Sequence, residues 1–261
     1  MATHHHISIV KTGSVAVVLF AVTLLALQFP KNTGNIAGAL LGGILPALVW
    51  LWFWLKEDKA HPEPKRIIFL AFAFGMLGVP FAVLFEKLAM NQIGAITFTL
   101  FLLWAIIEES IKYAAARLSG LQSKYFDEPI DAVMYLISAA LGFAALENVF
   151  FVFSSIMDGG FADALVTGQL RFVGASLLHV AASALVGFSI AFGLCETRWK
   201  KWTYHIAGLL TAISLHTVFN YLIMKSNGEH LLNIFALLWV VIIVIIILFE
   251  KIKRSQCKIT L

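Results

Sequence analysis

The sequence predicts an all-α, polytopic integral membrane protein of about eight spanning helices, and three observations carry that prediction. First, 60% of the 261 residues are hydrophobic and 13% charged, with a mean hydropathy of +0.88, whereas a soluble domain carries roughly a quarter charged residues. Second, apolar runs long enough to cross a bilayer recur along the whole chain. Third, those runs are continuously apolar and do not alternate, which excludes a membrane β-barrel; backbone groups in lipid must then be satisfied within each segment, as in a helix. The composition excludes a disordered chain, a nucleic-acid-binding domain and any sizeable soluble catalytic domain. Chemistry, where present, must lie among the helices.

The runs fall at about 12–29, 34–55, 67–89, 93–117, 130–154, 169–194, 202–224 and 231–250, and they form a single membrane-embedded domain over 1–261 with no linker or repeat. The turn-forming Pro30-Lys31-Asn32-Thr33-Gly34 separates the first two. The first run reads as an uncleaved anchor, since it is long and no small-residue cleavage site precedes Pro30. With eight spans both termini share one side. One set of connections holds Lys11, Lys56, Lys59, Lys65, Arg66, Arg117, Lys124, Arg198, Lys200, Lys201, Lys251, Lys253, Arg254 and Lys258, 14 of the 19 basic residues. The positive-inside rule makes that side, and both termini, cytoplasmic in a multi-pass cell-membrane protein. Cys195 and Cys257 then face a compartment that disfavours disulfides, and His4-His5-His6 reads as a solvated tail. Gly34, Gly38 and Gly42 form a stripe at helical spacing that reads as close helix packing or self-association.

Charged groups at mid-bilayer cost about 2.5–3.5 kcal/mol each on insertion scales, so each requires a reason. Span four carries Glu108-Glu109-x-x-Lys112, and span five carries Asp131 near its start and Glu147-Asn148. Span six carries Arg171 and His179, and span seven His216-x-x-x-Asn220. Glu108 and Lys112 share a face in the favourable order, while Glu109 points about 100° away. At about 1.5 Å per residue from the cytoplasmic ends, His216, His179 and Glu147 lie roughly 21, 24 and 26 Å deep. Glu108 lies only about 14 Å deep by the same rise, so it requires a shifted fourth helix or a cavity open to the cytoplasm.

Each feature has a plain structural reading: a buried Glu108–Lys112 ion pair, a packing role for His179, an interhelical clamp from His216 and Asn220, snorkelling or solvated Arg171 and Asp131. Their confinement to four consecutive helices argues for chemistry. Carboxylates with imidazoles are the groups that activate water. A buried carboxylate serves as general base, and neutral histidines either hydrogen-bond a developing oxyanion or hold a zinc ion. His179, His216 and Glu147 are the candidate metal ligands. No HExxH or GxSxG pattern occurs.

The same residues resemble the PrsW family of intramembrane proteases, relatives of the prenyl-protein (CAAX) endopeptidases of the Abi superfamily. The ordered matches are Lys56-Glu57-Asp58, Pro62-Glu63-Pro64, the Phe69–Gly78 run, Glu108-Glu109-x-x-Lys112, Asp131, Gly142-Phe143-Ala144-Ala145-Leu146-Glu147-Asn148, Arg171, His179 with Gly187, and His216-x-x-x-Asn220. The resemblance implies an endopeptidase in which Glu108 or Glu109 activates water and Glu147, His179, His216 and Asn220 complete the site. Lys112, Asn148, Asp131 and Arg171 then support it. It leaves glutamate-type and zinc-dependent chemistry both open. One departure is Phe150-Phe151, where family members often carry a tyrosine. The expected partners are a membrane-anchored protein substrate and the bilayer, with no nucleic acid. Two alternatives come from other classes: a proton- or ion-coupled transporter, in which the Glu/His chain is a relay, and a non-catalytic membrane-protein binding partner.

Overall fold

The computed structural model describes residues 36–59 and 62–254. The expected first span, the histidine tripeptide, Gly34 and Cys257 lie outside the described residues. Among the described residues every regular element is helical. The helices are α1 (Ile36–Glu57), α2 (Lys65–Ile93), α3 (Phe98–Ala116), α4 (Pro129–Gly159), α5 (Phe161–Leu170), α6 (Ser176–Gly193), α7 (Arg198–Lys225) and α8 (Leu231–Lys253). A π-helical turn, Arg117–Leu121, extends α3, and another, Arg171–Ala175, joins α5 to α6 without a break. Six stretches are long and apolar enough to cross a membrane: α1, α2, α4, the joined α5–α6 helix from Ala162, α7 and α8. The α3 helix falls outside that set; it carries Glu108, Glu109 and Lys112 within 19 residues.

Local chemistry sets the helix ends. Gly94 closes α2 with a left-handed φ of 71°, its N–H donating to the Met90 carbonyl, a backbone shape that only glycine adopts without strain. The Thr97 hydroxyl accepts from the Leu100 N–H at 3.3 Å and caps α3. Pro129 opens α4, and the Asp131 carboxylate accepts from the Asp127 and Glu128 N–H groups at 2.9 and 2.7 Å. Asp131 therefore sits at the helix start as a cap.

The α4 helix has apolar residues on every face and is buried along most of its length, so it forms the axis of the bundle, with α1, α2 and α6 packed around it. It crosses α2 at a pair of glycines. A Cβ on Gly142 would stand 1.9 Å from the Phe72 carbonyl oxygen, and one on Gly75 2.0 Å from that of Ala139. Only the missing side chains allow this approach, which fixes the height of Glu147 relative to the neighbouring helices. The glycine stripe also finds its contacts within the chain: Gly38 faces Ile156 and Gly42 faces Val152, both on α4. The expectation of unpaired cysteines is corrected, since Cys195 is disulfide-bonded. That expectation rested on compartment and not on geometry.

At the bundle end that carries the α1–α2 connection, Asp58 is buried with neither carboxylate oxygen hydrogen-bonded. Burial, then the nearby Asp131, pushes its pKa up to about 7, against the pull of Lys253. Glu63 beside it is raised to about 9, again by burial first, and it accepts a hydrogen bond from the Tyr135 hydroxyl. A carboxyl that holds its proton more tightly when folded lowers stability as pH rises from about 4 to about 7, after which the loss is complete. Asp58→Asn should therefore melt a few degrees above wild type at pH 8 and level with it at pH 4, by thermal unfolding in detergent. An equal difference at both pH values would contradict this assignment.

Candidate functional site

Four helices deliver polar side chains to one buried centre. From α3, Glu108, Glu109 and Lys112 are 5%, 1% and 0% exposed; His179 on α6 and His216 on α7 are 2% and 1% exposed. Lys112 Nζ donates to Glu109 Oε1 at 2.6 Å and to His179 Nδ1 at 2.8 Å. His216 Nδ1 bonds the same Glu109 oxygen at 2.7 Å. On the far side of His179, Nε2 lies 3.0 Å from Glu147 Oε2 on α4. The two imidazoles meet edge to face with centroids 5.3 Å apart.

These bonds fix the tautomers. A carboxylate only accepts, so Glu109 selects the Nδ1–H form of His216, and Glu147 selects the Nε2–H form of His179. Lys112 donates to the bare Nδ1 of His179, in agreement. Two lone-pair nitrogens, His179 Nδ1 and His216 Nε2, are then turned towards Glu108 Oε2, at 3.7 and 3.8 Å. That oxygen is buried and has no hydrogen-bond partner. The Lys112 ammonium, bonded to His179 Nδ1, lies 3.6 Å from that oxygen, but no hydrogen bond reaches it, and a buried carboxylate oxygen left without one is costly. The arrangement fits a shared proton, a water or a cation between that oxygen and the two nitrogens.

Three of these groups could together hold a metal ion. One donor atom each from Glu108, His179 and His216 lies within 4.8 Å of the others. Each histidine is backed on its opposite nitrogen by a carboxylate, Glu109 behind His216 and Glu147 behind His179, which is how zinc-ligating histidines are commonly oriented. Glu147, an expected ligand, thus occupies the backing position, while Glu108 lies between the two rings.

A second layer steadies Glu147. Arg171, the first residue of the π turn before α6, donates through Nη2 to Glu147 Oε2 and through Nε to Asn148 Oδ1 at 2.5 Å. The Asn148 amide donates in turn to Ser176 Oγ at 3.0 Å. Expected to snorkel or be solvated, Arg171 is instead paired and partly buried, and its guanidinium lies 3.8 Å from the centroid of the Phe151 ring. Phe151, one of the Phe150-Phe151 pair, thus supplies a cation–π face. Asn220 sits one turn beyond His216, half-buried, and makes no hydrogen bond among the described residues.

The apparent depth mismatch of Glu108 disappears because α3 does not stop at Arg117. Its π turn carries the helix to Leu121, which puts Glu108 roughly 20 Å from that end at about 1.5 Å per residue. Sequence reasoning missed Ser176, although it stands three residues before His179 and hence on the same face. It also gave no role to Phe143, whose ring lies 5.6 Å from His179 and 5.1 Å from Lys112 Nζ.

Fold and centre together define a polytopic membrane protein with a carboxylate–imidazole site buried among its helices. Residues 63–248 match the family model described as PrsW family intramembrane metalloprotease; the chain belongs to this family. Its relatives include Protease PrsW of Geobacillus kaustophilus (strain HTA426), 28% identical over 76% of this chain and 85% of that protein. Protease PrsW of Bacillus subtilis (strain 168) is 26% identical over 76% and 88%, and that of Clostridioides difficile (strain 630) 27% over 69% and 77%. No solved structure matches.

Proposed function

We propose that this chain is an intramembrane endopeptidase that hydrolyses a peptide bond of a membrane-anchored protein at the Glu108–His179–His216 centre. Family membership supports the protease class. The observation that carries the site is Glu108 Oε2, buried among the spans without a hydrogen bond, 3.6 Å from the Lys112 ammonium and faced by two oriented imidazoles. The basic connections orient the chain with its termini in the cytoplasm.

In the metal-holding reading, Glu108, His179 and His216 are the ligands. Bound zinc supplies a Lewis acid that lowers the pKa of water and polarises a carbonyl. Glu109 Oε2, the other buried carboxylate oxygen without a partner at the centre, then accepts the proton of the attacking water and returns it to the leaving amine nitrogen. Glu147 holds His179 in its tautomer, and Arg171 holds Glu147. Asn220, one turn beyond His216 on α7, would offer its amide N–H to the carbonyl oxygen as charge develops there.

One observation favours a second, glutamate-type reading: Lys112 Nζ already occupies His179 Nδ1 at 2.8 Å. Without a cation, Glu108 Oε2 itself takes the proton from water and passes it to the amine, and Lys112 remains where it is. The two readings separate on metal content and chelation. In the first, purified protein carries about one zinc per chain, His216→Ala lowers it several-fold, and a chelator abolishes cleavage until zinc is restored. Cleavage by metal-free protein would overturn that reading in favour of the second.

A further inference from the structure

A second polar cavity lies on the same α3–α7 seam, nearer the basic end of the bundle, and the hydrolytic centre does not use it. It encloses about 210 Å³ and is lined by Arg117, Arg198, Lys201, Trp202 and His205. Glu109, Tyr113 and Arg117 recur at four-residue spacing, so they share a face of α3 and its π-helical extension. Between centre and cavity the Tyr113 hydroxyl bonds His205 Nδ1 at 2.8 Å and closes the seam.

The lining carries three fixed cations and no carboxylate. Arg117 meets neutral groups, donating to the Tyr113 hydroxyl at 3.4 Å and, with the Gln122 amide oxygen turned towards it, to that oxygen at 3.1 Å. Neither Arg198 nor Lys201 makes a salt bridge among the described residues. The nearest acid in sequence, Glu196, is taken by Lys200 at 2.9 Å. Cations gathered around a cavity repel one another unless an anion joins them.

Two observations say where that anion comes from. At 28 residues α7 is about 42 Å long, more than the ~30 Å hydrocarbon core, so its first turns reach the headgroup layer. Trp199 and Trp202 there are 79% and 53% exposed, as in the tryptophan belts of the membrane interface. An acidic stretch of a protein substrate is less favoured, since segments on the basic side of a membrane are themselves basic.

We propose that this cavity binds the phosphate of an anionic phospholipid headgroup, with Arg117, Arg198 and Lys201 on its oxygens and Trp202 against the glycerol region. The site stands independently of the protease reading. The full chain in detergent, titrated with phosphatidylglycerol or phosphatidylcholine and examined by native mass spectrometry, should retain phosphatidylglycerol selectively. Arg198→Gln/Lys201→Gln should weaken that retention about 30-fold, at roughly a factor of five per cation lost from a membrane-surface site. Lys65→Gln/Lys251→Gln, which removes the same charge from exposed positions outside the cavity, should leave it unchanged. Both pairs replace surface side chains, and unaltered thermal unfolding would show that the fold is kept; Lys201→Gln alone gives a milder second reading with a several-fold loss. Equal retention by the cavity variants and wild type would overturn the proposal. Displacement of the lipid by an equal concentration of inorganic phosphate would do so too, by showing a soluble-anion site.

Discussion

Glu108→Gln should abolish cleavage while leaving the protein folded and at least as stable as wild type. General acid–base groups contribute about 10²–10⁴-fold to rate, and Glu108 would serve either as the base or as a metal ligand, so the loss should reach the upper end of that range. Stability should not follow. Lys112 keeps its 2.6 Å bond to Glu109, and the carboxylate oxygen being replaced has no hydrogen-bond partner to lose. The ion pair it gives up with Lys112 is long, at 3.6 Å, and losing a buried carboxylate's desolvation cost offsets it. Assay of a single-span substrate alongside thermal unfolding in the same detergent would show the two properties separating. Loss of both together would mean that Glu108 is a structural ion-pair partner.

Glu109→Gln should behave in the opposite way on stability. One oxygen of Glu109 receives both Lys112 and His216. Its removal leaves a fully buried ammonium without its shortest partner, and breaking a buried pair from one side costs about 3–5 kcal/mol. Activity should fall as well, because a glutamine oxygen can still accept from His216 but brings neither the carboxylate's charge nor its capacity to take a proton. Adding Lys112→Met removes the stranded charge, so the double variant should recover most of the stability and none of the cleavage. Adjacent glutamates on one helix would thereby show different roles. Matching effects of the two single variants on unfolding would refute the distinction.

The residues of the centre were legible because charge is scarce in this chain. Glu108, Glu109, Lys112, Glu147, His179 and His216 stand out against apolar runs, and the energetic cost of each in a membrane supplies the reason to look. Spacing could not tell Glu108 from Glu109, since their roles depend on which neighbour each meets about 100° apart on the helix. Hydropathy could not reveal the π turns. One deepened Glu108 by extending α3; the other turned Arg171 from an expected interface residue into the partner of Glu147. Motif spacing likewise could not show that the Phe151 ring face lies against the Arg171 guanidinium. The glycine stripe reads from spacing as close packing or self-association, and that Gly38 and Gly42 face α4 could be known only from the three-dimensional arrangement.

The central claim is that this buried centre cuts a peptide bond. Its most direct test is wild-type and Glu108→Gln protein, each purified and reconstituted in liposomes at equal folded amounts. Both are incubated with a library of single-span peptides, and new termini are mapped by mass spectrometry. Wild type should generate new termini within or beside the spanning segment of at least one peptide, and Glu108→Gln should generate none. Products of equal yield from both proteins, or no product from any peptide with wild type, would contradict the account.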